Sequence, residues 1–543
     1  MRKVKIAPQK GILILTAVLF GIFLLWPLLA ILVKSVVEGN SITFSNYTDL
    51  LDKKIGNAFL NSTLLSAAAG MIAVVLAFLP AYAVNYTKLH SSIKKAISAL
   101  MMLPMLLPTI TYGFAIIYAL GKQGLITQLL GTQIVDIYGV QGLLIGYVIY
   151  ALPTAFMLIS NTMGFIDKRF TIVSRLMGDS RCKCFLRTVL RPLAGTLAVA
   201  FIQSFTLCFT DYGIPSALAG NIDLLSVKLY NEMLGSLPDF HAGSAISILM
   251  LLPSVINIVL ITLLNRYNIR YNKLSPVELT PSFLRDAVWG FLSFLITGCI
   301  VCIFSVIFLV PLVEQWPYRM QLSLSHIAGI LADGSLRHIF FNSLLIALLS
   351  ASFGTILAYI CALVSSRQGP YQKYGKLPDA IALVANTVPG MVLGVAYLMA
   401  FKGSFLHNGL AILVICNIVH FFSTPYLLMK SSLEKLNGSW ETTAALMGDS
   451  WLKTVLRILT PNSLVSLLEA FRYFFTNAMV TVSAVIFLVS TDTMVMTAKI
   501  KELQHFASFN EIFVLSMLIL LTNLATSGII KLVAGFITKR RTS

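Results

Sequence analysis

The chain has 543 residues, of which 57% are apolar and only 11% charged, with a mean hydropathy of +0.84. A soluble protein carries about 25% charged residues, so a soluble enzyme and a disordered chain are both excluded and an integral membrane protein is implied. The 40 Lys+Arg against 22 Asp+Glu give a net charge of +18; these cations lie in short segments between apolar runs, a topology signal and not a nucleic-acid face.

A helix needs about 20 apolar residues to cross the hydrocarbon core. In chain order such segments fall at 12–33, 60–84, 97–120, 140–160, 194–214, 243–264, 287–312, 340–364, 377–400, 406–428, 463–488 and 512–535. That predicts an all-α polytopic membrane protein with about twelve transmembrane helices. The first segment follows Met-Arg-Lys-Val-Lys. It is too long for a secretory leader and lacks a small-residue cleavage site, so a retained helix is expected.

Alternating the connecting segments from the N-terminus tests the topology. Those on the N-terminal side hold about 28 of the 40 Lys+Arg, among them Arg2, Lys3, Lys5, Lys94, Lys95, Arg266, Arg270, Lys539, Arg540 and Arg541. The opposite side holds about 10, and Arg472 and Lys531 lie within spans. The positive side faces the cytoplasm, so both termini are expected there, with the spans in contact with lipid. The seven Cys and seven His are dispersed without metal-ligand spacing. Cys182-x-Cys184 has no second pair, so no metal site is expected and the thiols should be reduced.

The chain repeats itself. Phe59-Leu60-Asn61-Ser62 matches Phe340-Phe341-Asn342-Ser343 at an offset of 281, which also pairs Leu107-Pro108 with Val388-Pro389 and Gly113 with Gly394. Leu176-Met177-Gly178-Asp179-Ser180 recurs unchanged as Leu446-Met447-Gly448-Asp449-Ser450, now at an offset of 270. The expected organisation is a six-helix half over 1–265, a cytoplasmic linker over 266–285, and a second half over 286–543. Parallel repeats imply a pseudo-twofold axis along the membrane normal, with a path between the halves.

The sharpest pattern lies between the fourth and fifth spans of each half, over 163–192 and 430–461. The second copy runs from Glu441 through Ala444, Gly448, Asp449, Lys453, Arg457 and Ile458 to Pro461. The first keeps Gly178, Asp179, Lys183 and Arg187 in register, with Pro192 one position late. Glycine allows a backbone turn and close approach of a partner, and proline starts the next helix, where a missing N–H costs nothing. The second loop closely resembles the E-A-A-x3-G-x9-I-x-L-P loop of ABC importer permeases. It departs from that pattern in carrying Thr442 six residues before the glycine, with Glu441 one earlier; the first loop has Ile172 there.

The resemblance implies a type I ABC importer permease fold and a coupling helix in each loop, docked on an ATPase subunit. Its partners would be two copies of that ATPase, binding ATP and Mg, and an extracellular or periplasmic substrate-binding protein. No G-x4-G-K-[ST] phosphate loop occurs in the sequence, so the chain is expected to be no enzyme, to bind no cofactor and to leave ATP hydrolysis to a partner.

Ionisable groups within a span point to function. Glu469 and Arg472 share a helical face at i, i+3 and either hold an anionic substrate or neutralise one another. Gln203, Thr206, Thr210 and Asp211 line the fifth span, with Asn477 and Thr481 at corresponding positions. The whole chain resembles the fused-permease branch that includes ferric-iron, 2-aminoethylphosphonate, thiamine and polyamine systems. Thr210–Asn221 and Val482–Met494 look most like the 2-aminoethylphosphonate type and also resemble ferric-iron permeases. An ion-coupled secondary transporter is the alternative class; it should carry more carboxylates within its spans than Glu469.

Overall fold

The computed structural model describes residues 8–38, 41–42, 47, 53–267, 282–367 and 375–542. Arg2, Lys3, Lys5, Arg270 and most of the 266–285 linker lie outside the described residues, as do the side chains of Arg266, Arg540 and Arg541.

The first half contains α1 (Pro8–Val36), α2 (Lys53–Tyr86), α3 (Ser91–Met102), α4 (Thr109–Leu120) and α5 (Val140–Phe165). After these come α6 (Arg169–Leu176), α7 (Arg191–Thr210), α8 (Gly213–Leu218), α9 (Leu225–Leu234) and α10 (Phe240–Tyr267). The second half repeats the order with α11 (Phe283–Leu309), α12 (Gly334–Ser366), α13 (Lys376–Thr387), α14 (Gly390–Phe401), α15 (Leu410–Phe421) and α16 (Ser423–Glu434). It continues through α17 (Ser439–Leu446), α18 (Leu464–Val480) and α19 (Met496–His505) to α20 (Phe509–Thr542). Two antiparallel two-stranded hairpins, Val37–Glu38 with Ser41–Ile42 and Val313–Gln315 with Arg319–Leu322, interrupt the helical pattern.

Among the described residues, eight helices are long and apolar enough to span a membrane, and up to eleven spans result when each bent pair counts once. The expected spans 97–120 and 377–400 are therefore not straight. Each breaks sharply, by 109° between α3 and α4 and by 102° between α13 and α14. The cause is the repeated proline: Pro108 and Pro389 force the preceding Leu107 and Val388 into extended backbone, which ends the helix. The spans expected at 194–214 and 463–488 also end early, at Thr210 and Val480. Those ends lie 270 residues apart, so the offset of the glycine motif persists to the outer end of the fifth span.

Within each half the second span is the packing centre. α2 lies against α5 and α7, and α12 against α16 and α18. Small residues make this close approach possible. Ala73, Ala77 and Ala81 are fully buried on α2. At the 281 offset, Gly354 stands where an added Cβ would lie 2.8 Å from the Phe474 ring, and Ala358 and Ala362 follow, fully buried.

The first helices cross over. α1 packs on α14 and α12 of the second half, with the Tyr397 hydroxyl donating to the Phe23 carbonyl (2.6 Å). α11 packs on α2, α3 and α4 of the first half, where Trp289 lies 4.2 Å from the Tyr82 ring. The repeated Asn-Ser pairs complete the symmetry. Ser62 Oγ accepts from the Leu225 N–H (2.9 Å) at the start of α9, and Ser343 Oγ from the Met496 N–H (2.8 Å) at the start of α19. Asn61 and Asn342 donate to the carbonyls of Asp223 (3.2 Å) and Asp492 (3.0 Å) beside them.

Candidate functional site

Each coupling loop is a short helix closed by a left-handed glycine. Gly178 has φ +82° and Gly448 φ +79°, a region that L-residues other than glycine enter at a cost of about 1–2 kcal/mol. The turn hydrogen bonds repeat: Met177 and Met447 N–H reach the carbonyls of Val173 (2.9 Å) and Thr443 (3.0 Å), and Asp179 and Asp449 N–H those of Ser174 (3.1 Å) and Ala444 (2.9 Å). Ser180 and Ser450 then cap the next helix, each accepting from a lysine N–H three residues on, Lys183 and Lys453. Asp179 pairs with Arg187 at 3.2 Å, and Asp449 with Lys453. Arg457 is exposed and Ala444 is buried.

The tips are apolar and open. Leu176 and Met177 are 82% and 80% exposed, and Leu446 and Met447 84% and 79%. Four large apolar side chains in water, in two equal pairs, mark surfaces made to be covered. The space around both glycines is clear within 4 Å of an added Cβ, so the glycine serves the turn and not internal packing.

The loops are held to the bundle differently. In the second, Arg367 at the end of α12 donates from Nε to Glu441 Oε1 (2.8 Å), and its Nη1 reaches the carbonyls of Leu433 (2.9 Å) and Leu436 (2.8 Å). Arg367 is only 6% exposed. In the first, the position of Glu441 is Thr171, whose hydroxyl meets that of Thr188 at 3.1 Å. Glu441, expected among the coupling residues, anchors the loop to the second span. Arg367 itself escaped the sequence reading; a lone arginine ending a span, with an acid in the following loop, is the available signal.

Among the expected path residues, Glu469 and Arg472 meet each other: Arg472 Nε donates to Glu469 Oε2 at 2.9 Å, and both side chains keep about a third of their exposure. Asp211 is buried, and its Oδ2 accepts from the Ile214 N–H (2.9 Å) at the start of α8. Thr210 bonds its own helix at the Thr206 carbonyl (2.9 Å), and Asn477 does the same at Tyr473 (2.7 Å). Gln203 is partly buried on α7. Among the described residues, no hydrogen bond or ion pair joins Gln203, Thr210 or Asp211 to Glu469, Arg472 or Asn477. The halves touch nearby, where Thr111 meets Ser516 (2.9 Å) and Asn523 donates to the Leu106 carbonyl (3.0 Å).

The sequence matches the family described as "Binding-protein-dependent transport system inner membrane component" in two parts, residues 69–273 and 354–539. The chain belongs to this family. It is a fused, two-half permease of the type I ABC importer class, and its matched parts each contain one coupling loop. The "Putative ferric transport system permease protein FbpB 1" of Haemophilus influenzae is 27% identical over 495 residues, 87% of this chain and 77% of that one. The ferric transport system permease protein FbpB of Actinobacillus pleuropneumoniae is 25% identical over 511 residues, 90% of this chain and 73% of that one. The sulfate transport system permease protein CysT of Synechocystis is 24% identical over 265 residues, 48% of this chain but 90% of its own. A permease of this class works with an ATPase and a substrate-binding protein.

Proposed function

We propose that this chain is the membrane path of an ATP-driven importer in a bacterial inner membrane, with both termini and both coupling loops in the cytoplasm. One ATPase subunit seats on Leu176-Met177 and a second on Leu446-Met447, while a substrate-binding protein delivers cargo at the opposite end. The observation that carries this reading is the duplicated tip: the same two apolar side chains, equally exposed, ahead of the same left-handed glycine. Such a tip cannot be an internal packing element. It transmits force only if something grips it, and Arg367–Glu441 ties the second tip directly to α12.

For cargo, the two relatives spanning both halves support ferric iron, since both are named as ferric transport permeases. A second reading, an anion of the 2-aminoethylphosphonate class, is favoured by a buried cation between the halves, Lys501. The test is ATP-driven uptake into proteoliposomes holding this chain with its ATPase and binding protein, offered radiolabelled ferric iron or 2-aminoethylphosphonate. ATP-dependent uptake of ferric iron alone supports the first reading and of the phosphonate alone the second. Uptake driven by an ion gradient without ATP defeats both.

A further inference from the structure

Away from the coupling loops, α8 and α9 of the first half meet α19 of the second around a cavity of about 200 Å³. Its position follows from α12: Ser343 near one end holds the start of α19, and Arg367 past the other end holds the coupling loop. The 24 residue steps between them rise about 36 Å, so the cavity lies at the far end of the bundle from the tips. One wall carries Tyr212, Ser216 and Tyr230; the other carries Lys501 and His505.

Lys501 is 8% exposed. Its Nζ donates to the neutral Oε1 of Gln504 at 2.8 Å and lies 5.7 and 5.8 Å from the ring centroids of Tyr212 and Tyr230. Gln504 is itself fixed across the halves, its Nε2 donating to the Ser216 carbonyl at 2.9 Å. The adjacent carboxylate of Glu502 pairs with Lys499 at 2.8 Å. No Asp or Glu is among the described residues that line the cavity. Burial pushes the Lys501 ammonium down to about 8, so it remains protonated at neutral pH.

A buried charge is normally paired or it costs several kcal/mol. Two ring faces and one amide oxygen offset part of that cost, but they leave ammonium donors beside a cavity that holds no negative group of the protein. A structural lysine would gain more from a carboxylate, and a packing residue would gain more from being apolar. The arrangement fits a site where negative charge comes and goes. Its volume is below the about 300–1,000 Å³ of drug-sized pockets, which restricts the ligand to a few heavy atoms.

We infer that this cavity is a transient site for a small oxyanion of the phosphonate, phosphate or sulfate class, with Lys501 supplying the charge and Tyr212 and Tyr230 the walls. Contact from both halves makes occupancy sensitive to their separation: closure assembles the site, and parting of α8 and α9 from α19 dismantles it. The inference rests on the permease reading and sharpens its second cargo class.

The experiment is equilibrium binding of radiolabelled phosphate, 2-aminoethylphosphonate and sulfate to the full chain in lipid nanodiscs. Lys501→Met keeps the stem and removes the charge; Lys501→Arg keeps the charge. Wild type and Lys501→Arg should bind at least one of the three at millimolar concentration or below, and Lys501→Met should weaken that binding by about tenfold or more. The oxyanion bound identifies which member of the class the site takes. Equal binding by Lys501→Met, or no binding of any of the three by wild type, overturns the inference. If Lys501→Met does not fold, reductive methylation of wild type replaces it: slower modification of Lys501 with the oxyanion than with chloride supports the site, and an unchanged rate overturns it. No ATPase takes part in either measurement. A failure here therefore leaves the docking reading standing, and that reading is tested separately at the glycines.

Discussion

The two loops agree at their exposed tips and differ on the side that faces the bundle. Both present leucine and methionine ahead of a left-handed glycine, with a serine cap beyond. Behind the tip, the second loop is clamped by the Arg367 guanidinium, and the first rests on a hydroxyl pair, Thr171 with Thr188. The losses in the first half are concerted. At the 281 offset of the second span the place of Arg367 falls to Tyr86, over whose ring Lys168 lies at 5.7 Å, and at the 270 offset of the loop the place of Glu441 falls to Thr171. Removing only one partner would have left a charge buried alone, so the pair is replaced as a unit. Under the proposed docking reading the tip tolerates little change, whereas attachment needs only to be stiff, and a neutral anchor achieves that.

The largest expected effect comes from breaking the charged clamp. Glu441→Ala leaves the Arg367 guanidinium buried with only backbone carbonyls, at a cost of about 3 kcal/mol, the low end of the range because Glu441 is not fully enclosed. Purified Glu441→Ala should melt several degrees lower and lose most ATP-driven uptake. An unchanged melting temperature would show that the clamp adds no rigidity and that the loops are held equally. The double variant Arg367→Met with Glu441→Met should recover much of the stability, since it removes both charges together.

Next come the glycines. Gly178→Val and Gly448→Val each place a β-branched residue at positive φ, at a cost of about 1–2 kcal/mol or more. Because nothing lies near the added Cβ, insertion should be normal while the tip is misdirected. Both variants should retain folded protein and lose coupled uptake. If Gly448→Val abolishes uptake and Gly178→Val leaves it intact, only the clamped loop transmits force. Uptake unchanged in both variants would remove the docking role altogether. Replacing Leu446 and Met447 by serine tests the same surface from the other side. Each apolar side chain buried on a partner contributes about 1.5–3 kcal/mol, so ATPase association should fall by tenfold or more with no change in melting.

Much of this architecture is legible in the sequence because it depends on local rules. Apolar length marks the spans, positive φ demands glycine, and a proline ends the helix before it, which is why Gly178, Gly448, Pro108 and Pro389 stand out without coordinates. The bends of 109° and 102° were hidden, since hydropathy counts residues and not direction. The role of Glu441 was hidden for another reason: its partner Arg367 is 74 residues away, and only folding brings them together. The same holds for Asp211, whose carboxylate is taken up in starting α8, and for Lys501, whose surroundings come from the opposite half. Motifs written within one loop are readable; interactions between distant segments are not.

The neutral anchor of the first loop provides the smallest and most discriminating change. Thr171→Val deletes one hydroxyl and keeps the side-chain shape. Its partner Thr188 already donates to the Cys184 carbonyl at 2.8 Å, so no donor is left unpaired and the cost should be about 0.5–1 kcal/mol. Cys184 Sγ still reaches the Thr171 carbonyl (3.6 Å), which keeps that strand of backbone in place. Thr171→Val should therefore shift melting far less than Glu441→Ala and leave uptake near wild type. A loss of uptake as large as that of Glu441→Ala would mean that the hydroxyl pair bears the same load as the ion pair, and that stiffness at the first tip comes from hydrogen-bond geometry and not from charge.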